Sequence, residues 1–168
     1  MKKALPVILL LVLSFSNCFC QCPPGFIGND CRTPIAPASI TITRIEIMNW
    51  PDKKSDGTPW QQNTGPNIYV VLQNLSRNSA TLFDSKAVPD CRYGNIYKFY
   101  CNINIKDVTV NDNYKITLNN KNQFLPNELM SGETFKLYNP HNGCPPTLTI
   151  SNNAVPPITV KLFLTYTF

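Results

Sequence analysis

The chain has 168 residues and a formal net charge of +5, and charged side chains make up only 15% of it, against about 25% in ordinary soluble domains. Its Lys and Arg residues are scattered instead of running together, which speaks against a nucleic-acid footprint. Glycine-rich phosphate loops and Cys-x-x-Cys metal pairs do not occur, and the single histidine, His141, lies in a turn-like Asn-Pro-His-Asn-Gly stretch with no base or nucleophile fixed beside it.

The N-terminus reads as an export signal. Lys2 and Lys3 supply a positive start, and Ala4 to Phe15 is an apolar run of signal-core length. That run is shorter than the roughly 20 residues needed to cross a bilayer. No later stretch is apolar enough to do so, so the mature chain is expected to lack a transmembrane span. The signal peptide is expected to cover residues 1–20, with cleavage before Gln21. A rival site is Cys18, as the acylated cysteine of a lipoprotein. Cleavage before Gln21 leaves Cys22, Cys31, Cys91, Cys101 and Cys144, an odd number. Cleavage before Cys18 also retains Cys20, so that every thiol except the acylated one can pair. Either route removes Lys2 and Lys3 from a segment without acids, taking the charge from +5 to +3.

Residues 21–31 form a cysteine knuckle. Residues 32–37, Arg-Thr-Pro-Ile-Ala-Pro, read as a short linker stiffened by proline, and residues 38–168 as one all-β domain. In the first strand Ile40 and Ile42 alternate with Thr, then Ile45 and Ile47 continue on the other parity. Such a change of phase marks a β-bulge. Ile68–Leu72 is a short buried strand. Ala80–Phe83, Ile96–Cys101, Ile103–Val110, Tyr114–Leu118, Thr134–Tyr138 and Thr147–Ile150 follow, separated by turn clusters. The clearest strand is the last, with Ile158, Val160, Leu162, Leu164, Tyr166 and Phe168 on one face. Eight or nine short strands without helical period predict an antiparallel β-sandwich. In an exported chain Cys91 is expected to bridge, with Cys101 or Cys144 as partner.

Two resemblances sharpen this reading. Cys20-Gln-Cys22-Pro-Pro-Gly-Phe26-Ile-Gly28-Asn-Asp-Cys31 resembles the C-terminal half of an EGF-like domain, which implies a Cys22–Cys31 bond. The remainder resembles a C2-type, calcium- and lipid-binding-like sandwich. Gly65-Pro-Asn67-Ile-Tyr69-Val-Val-Leu72 is similar to that family's Gly-x-x-Asp-Pro-Tyr-Val strand. Ile116 to Asn122, followed by Asn127-Glu128-Leu-Met-Ser-Gly132, looks like its third loop. The whole is similar to exported bacterial proteins that join such a knuckle to such a sandwich.

In the C2 family, acidic loop residues at one end hold Ca²⁺, which bridges to anionic lipid. Here Asn67, Asn120 and Asn122 occupy matching positions and are neutral. Asp52, Asp56 and Glu128 remain acidic. Ca²⁺ affinity rises with the number of carboxylates, so the resemblance implies weak Ca²⁺ binding at most, and no other cofactor. Trp50 and Trp60 flank the first loop, either as anchors or as contact residues for a glycan or bilayer. The expectation is a non-catalytic binding or adhesion module, secreted or held at the outer cell surface, whose loops 49–66 and 119–128 meet protein or membrane headgroups. A structural envelope lipoprotein domain and a secreted hydrolase are the alternatives.

Overall fold

A computed structural model describes residues 22–152 and 157–168. The expected signal peptide, with Cys18 and Cys20, lies outside the described residues. Two two-residue strands, β1 (Phe26–Ile27) and β2 (Thr33–Pro34), form a small ribbon at the N-terminal side. Eight longer strands follow: β3 (Ser39–Asn49), β4 (Ile68–Asn74), β5 (Ala80–Asp84), β6 (Tyr97–Lys106), β7 (Tyr114–Asn120), β8 (Glu128–Phe135), β9 (Thr147–Ser151) and β10 (Thr159–Thr167). They build two four-stranded sheets, ordered β6-β3-β10-β9 and β5-β4-β7-β8, and all pairings are antiparallel.

The sheets face each other because their central strands turn apolar rows inward. On β4, Ile68, Val70 and Leu72 point inward and are fully buried; on β7, Tyr114, Ile116 and Leu118 do the same. Opposite them lie Val160, Leu162 and Leu164 of β10 and four isoleucines of β3. Burying each such aliphatic side chain is worth about 1.5–3 kcal/mol, so this interlayer region dominates stability.

The phase change in β3 is a bulge. Arg44 pairs with Phe163 and Ile42 with Leu164, leaving Thr43 as the extra residue. That single insertion brings Ile40, Ile42, Ile45 and Ile47 all onto the inner face, each with no exposed surface. It also turns Arg44 outward, where its guanidinium stacks 3.7 Å from the centre of the Phe163 ring.

Several sequence expectations need correction. The two segments flanking Asn102 are one strand, β6, and the strand expected over 134–138 is instead Glu128–Phe135. Strand β8 lies at a sheet edge, where only one side must pair, so its alternation is weak and Leu129 faces solvent. At the far end of β10 the inward row fades. Tyr166 is half-buried, with its hydroxyl donating to the Pro145 carbonyl at 2.7 Å, and Phe168 is exposed.

Strand direction defines two poles. The segments 50–67, 85–96 and 121–127 emerge together at one, the loop pole. Segments 75–79, 107–113 and 136–146 emerge at the other, together with the knuckle. Cys22 and Cys31 are bonded there, with Cα atoms 5.2 Å apart. The knuckle packs directly on the sandwich. Cys144 donates its amide to the Pro24 carbonyl at 3.0 Å, and the Tyr138 hydroxyl donates to the Ile35 carbonyl at 3.1 Å. A Cβ on Gly143 would stand 2.6 Å from the Phe26 ring, and its φ of +63° suits glycine.

The other cysteines do not bridge as expected. Among the described residues Cys91, Cys101 and Cys144 are unpaired. Cys91 sits in the loop pole against Gly65, Cys101 lies within β6 and contacts the Ile42 carbonyl, and Cys144 lies under the knuckle. Their places in the fold keep them apart. Burial pushes the Cys101 thiol up to about 11, away from the reactive thiolate.

Candidate functional site at the loop pole

Three of the loops at this pole, 50–67, 85–96 and 121–127, are tied together largely by neutral amides. Asn120 ends β7 with no exposed surface, and a buried amide needs partners for all its polar atoms. Its Oδ1 accepts from the Asn67 backbone amide at 3.0 Å and from Gln61 Nε2 at 3.1 Å. Its Nδ2 donates to Asn122 Oδ1 at 3.2 Å, to Glu128 Oε2 at 3.3 Å and, more weakly, to the Trp60 carbonyl at 3.4 Å. Asn67 continues the network. Its side-chain amide donates to the Lys121 carbonyl, and its Oδ1 accepts from the Asp90 amide at 3.1 Å. Asn122 closes the third loop by donating to the Pro126 carbonyl at 2.8 Å.

The middle loop joins through Asp90, whose Oδ1 accepts from the Gly65 amide at 2.7 Å. This hydrogen bond, reinforced by Arg92, holds the Asp90 carboxyl below the usual carboxylate value. A Cβ on Gly65 would lie 2.0 Å from the Cys91 carbonyl oxygen. Only glycine allows that approach.

Among the acids, Glu128 faces the network. Its Oε1 receives Lys54 Nζ at 2.6 Å, and this hydrogen bond is the main reason its carboxyl lies below the ordinary glutamate value of 4.5. Asp56 is committed to a turn, accepting from the Thr58 amide at 2.9 Å and hydroxyl at 2.6 Å. Those bonds, the hydroxyl first, lower its pKa. Asp52 is exposed. Thus Asp52, Asp56, Asn67, Asn120, Asn122 and Glu128 all lie at one pole, but only Asn67, Asn120, Asn122 and Glu128 share a network. Among the described residues no three His, Cys, Asp or Glu side chains converge closely enough to hold a metal. The donor set does not fit Ca²⁺: the Lys54 ammonium already neutralises Glu128, and the Asn120 oxygen is committed to two donors.

The tryptophans are anchors. Trp50 and Trp60 are 2% and 8% exposed. Trp60 Nε1 donates to the Pro51 carbonyl at 2.8 Å, and Trp50 meets the ring of Tyr93 edge-on. The exposed apolar groups are others, which sequence reasoning missed. Phe124 is 89% and Leu125 72% exposed, at the tip of loop 121–127, and Tyr93 and Ile96 are exposed on loop 85–96. A signal existed in the sequence: an adjacent Phe-Leu pair stranded between polar turn residues and Pro126 has no strand face to fill. Below the tip, a pocket of about 280 Å³ is lined by Tyr69, Asp84, Ser85, Lys86, Lys121 and Asn127. His141 lies at the opposite pole, in the 3-10 turn Pro140–Asn142.

No family model matches the chain, and no curated protein matches it in sequence. Among solved structures it is similar to a C2 domain at 11% identity, with a TM-score of 0.51 over 77% of this chain and 98% of that one. It is similar to a C2 domain of plant extended synaptotagmin 1 at 10% identity, with a TM-score of 0.50 over 80% of this chain and 99% of that one. Human GIVD cytosolic phospholipase A2 superposes with a TM-score of 0.48 and 13% identity over 77% of this chain, which spans 17% of that enzyme's length. The described fold is therefore a C2-like antiparallel β-sandwich carrying an N-terminal disulfide knuckle.

Proposed function

We propose that the protein is an exported, non-catalytic binding module whose loop pole docks on a phospholipid surface without calcium. The observation that carries this reading is the pair Phe124–Leu125, held almost fully in solvent at the tip of a loop whose base is fixed by buried amides. An apolar tip on a rigid base is an arrangement for insertion, because burying each side chain in a hydrocarbon boundary gains about 1.5–3 kcal/mol. Lys86 and Lys121 line one pocket beside the tip-bearing loop and supply cations for headgroup phosphates. Asp84 in the same pocket offsets part of their charge, so the apolar tip contributes more than electrostatic attraction. The neutral network supports calcium independence, since Lys54 supplies the cation that Glu128 requires.

Export rests on the signal-like N-terminus, and the Cys22–Cys31 bond suits an oxidising compartment. The protein acts in this reading as a secreted or surface-held module, with membrane headgroups as its partner.

Co-sedimentation of the mature chain with phosphatidylcholine/phosphatidylserine vesicles tests the reading. Binding is expected in chelator as well as in calcium, and it should weaken strongly in the double variant Phe124→Ser, Leu125→Ser. Absence of binding under both conditions, or binding unchanged in the double variant, contradicts it.

A further inference from the structure

We propose that the free edge of β6 joins two copies of this chain. Strand β6 of one copy pairs antiparallel with β6 of the other about a two-fold axis at Cys101, and two four-stranded sheets become one sheet of eight. The contact lies on the side of the sandwich and does not rest on lipid docking at the loop pole.

Three observations carry it. First, β6 is long and open. Among the described residues its one strand partner is β3. The Asp107 amide donates to the Ala38 carbonyl at 3.2 Å, so the alternate residues Asn104 and Lys106 turn their peptide groups to the free side. Cys101 and Asn102, at the register shift, have no Cα partner on β3. Exposed edges are normally guarded by charge or proline. Here the stretch Phe99 to Ile105, Phe-Tyr-Cys-Asn-Ile-Asn-Ile, contains neither.

Second, the strand is complementary to itself in one register. Its inner row is Tyr97, Phe99, Cys101, Ile103 and Ile105, and its outer row is Lys98, Tyr100, Asn102, Asn104 and Lys106. A one-residue slip would set the inner row of one copy against the outer row of the other. With Cys101 on the axis, nine positions pair, Tyr97 to Ile105. Tyr97 then faces Ile105 and Phe99 faces Ile103 on the inner side, while Lys98 faces Asn104 and Tyr100 faces Asn102 on the outer side. Moving the axis to Asn102 would oppose Lys98 to Lys106. Moving it to Tyr100 would shorten the pairing to seven positions, Tyr97 to Ile103.

Third, a cleft of about 420 Å³ opens beside that edge, between segment 83–88 and residues 98–100. Phe83, Val88 and Phe99 give it apolar walls. In the symmetric register Ile103 of the second copy stands opposite Phe99 and closes the cleft, so the interlayer core continues from one copy into the next. The Arg77 guanidinium, which caps the Lys106 carbonyl at 3.1 Å, lies beyond the paired positions and does not block them.

Sedimentation velocity over a dilution series tests the pairing. The mature chain is used in a Cys101→Ser background, so that no disulfide between copies masks dissociation, and it should dimerise. Tyr100 is 73% exposed and Asn102 is exposed, so both can change without disturbing the core, which circular dichroism verifies. The variant Tyr100→Lys, Asn102→Lys opposes like charges twice across the axis and should weaken the dimer by about tenfold or more. The variant Tyr100→Glu, Asn102→Lys opposes unlike charges at the same two places and should stay dimeric. Hydrogen exchange reads the same edge without any change at these positions: the Asn104 amide should be protected in concentrated protein and released on dilution. A chain that is monomeric at every concentration, or an Asn104 amide that exchanges freely throughout, overturns the proposal. So does a dimer that both variants leave intact, since the edge is then not the contact. Two monomeric variants overturn it as well, because Tyr100 and Asn102 then do not face each other.

Discussion

The two poles of this sandwich are stabilised by different physics. At the knuckle pole a disulfide, a glycine backbone and aromatic contact fasten a short ribbon onto loop 136–146. At the loop pole there is no covalent tie among the described residues. Three long loops are held by side-chain amides, the Lys54–Glu128 ion pair and a glycine-tight approach at Gly65, and their outermost residues are apolar and exposed. The comparison teaches that loops can be joined without a covalent tie when an internal ion pair and buried amides hold their bases. The exposed apolar tip is tolerated because the base beneath it is ordered.

Breaking what both poles share should have the largest effect. Leu162 is fully buried in β10 between the sheets, so Leu162→Ala should cost about 2–5 kcal/mol in denaturant unfolding, with both poles lost together. Cutting the knuckle should come next. The Cys22→Ser, Cys31→Ser double variant should lose about 2–4 kcal/mol at most, and hydrogen exchange should rise around Gly143 and Cys144 while the loop pole stays protected. Asn120→Ala attacks the other pole. It strands the Asn67 amide and the Gln61 side chain, so a loss of about 1–3 kcal/mol is expected, with exchange rising in segments 61–67 and 121–127 and unchanged at the knuckle.

The smallest effect concerns charge. Lys54 and Glu128 are both partly exposed, so Lys54→Met should change stability by less than about 1 kcal/mol. The Glu128 carboxyl is held below its ordinary value of 4.5, first by the Lys54 hydrogen bond. Its folded pKa is therefore depressed, and the stability it contributes is present above 4.5 and is lost as pH falls through the folded value. Exchange at the loop pole should rise on acidification while the knuckle, held to the sandwich by backbone amides and the Tyr138 hydroxyl, stays closed. Lys54→Met should flatten that pH dependence. A knuckle that opens first in acid would reverse the comparison.

Much of the sandwich was legible in the sequence because burial between two sheets imposes a two-residue period. The β3 bulge could be read from four isoleucines changing parity, and β4 and β10 from their apolar rows. What could not be read depends on contacts distant in sequence. Strand β8 hides because an edge strand with Ser131 and Gly132 in it carries little alternation. Lys54 and Glu128 are 74 residues apart, and no local pattern announces their pairing. The same holds for Gly25 against Cys144. The tryptophans left two roles open, because a large aromatic beside a loop can anchor it from below or face outward, and their burial decides for the anchor. The Asn-rich positions brought together at the loop pole were visible through family resemblance, whereas the apolar tip beside them was visible only as two residues without a strand to belong to.

The most direct measurement replaces Phe124 by Trp and follows its fluorescence, relative to the parent chain, on vesicles whose acyl chains carry bromine. Trp50 and Trp60 are buried and give a constant background. A calcium-free lipid-docking pole predicts quenching of the Phe124→Trp signal in the presence of chelator, with no added quenching in the parent. An unquenched signal, or quenching that appears only when calcium is added, would contradict it.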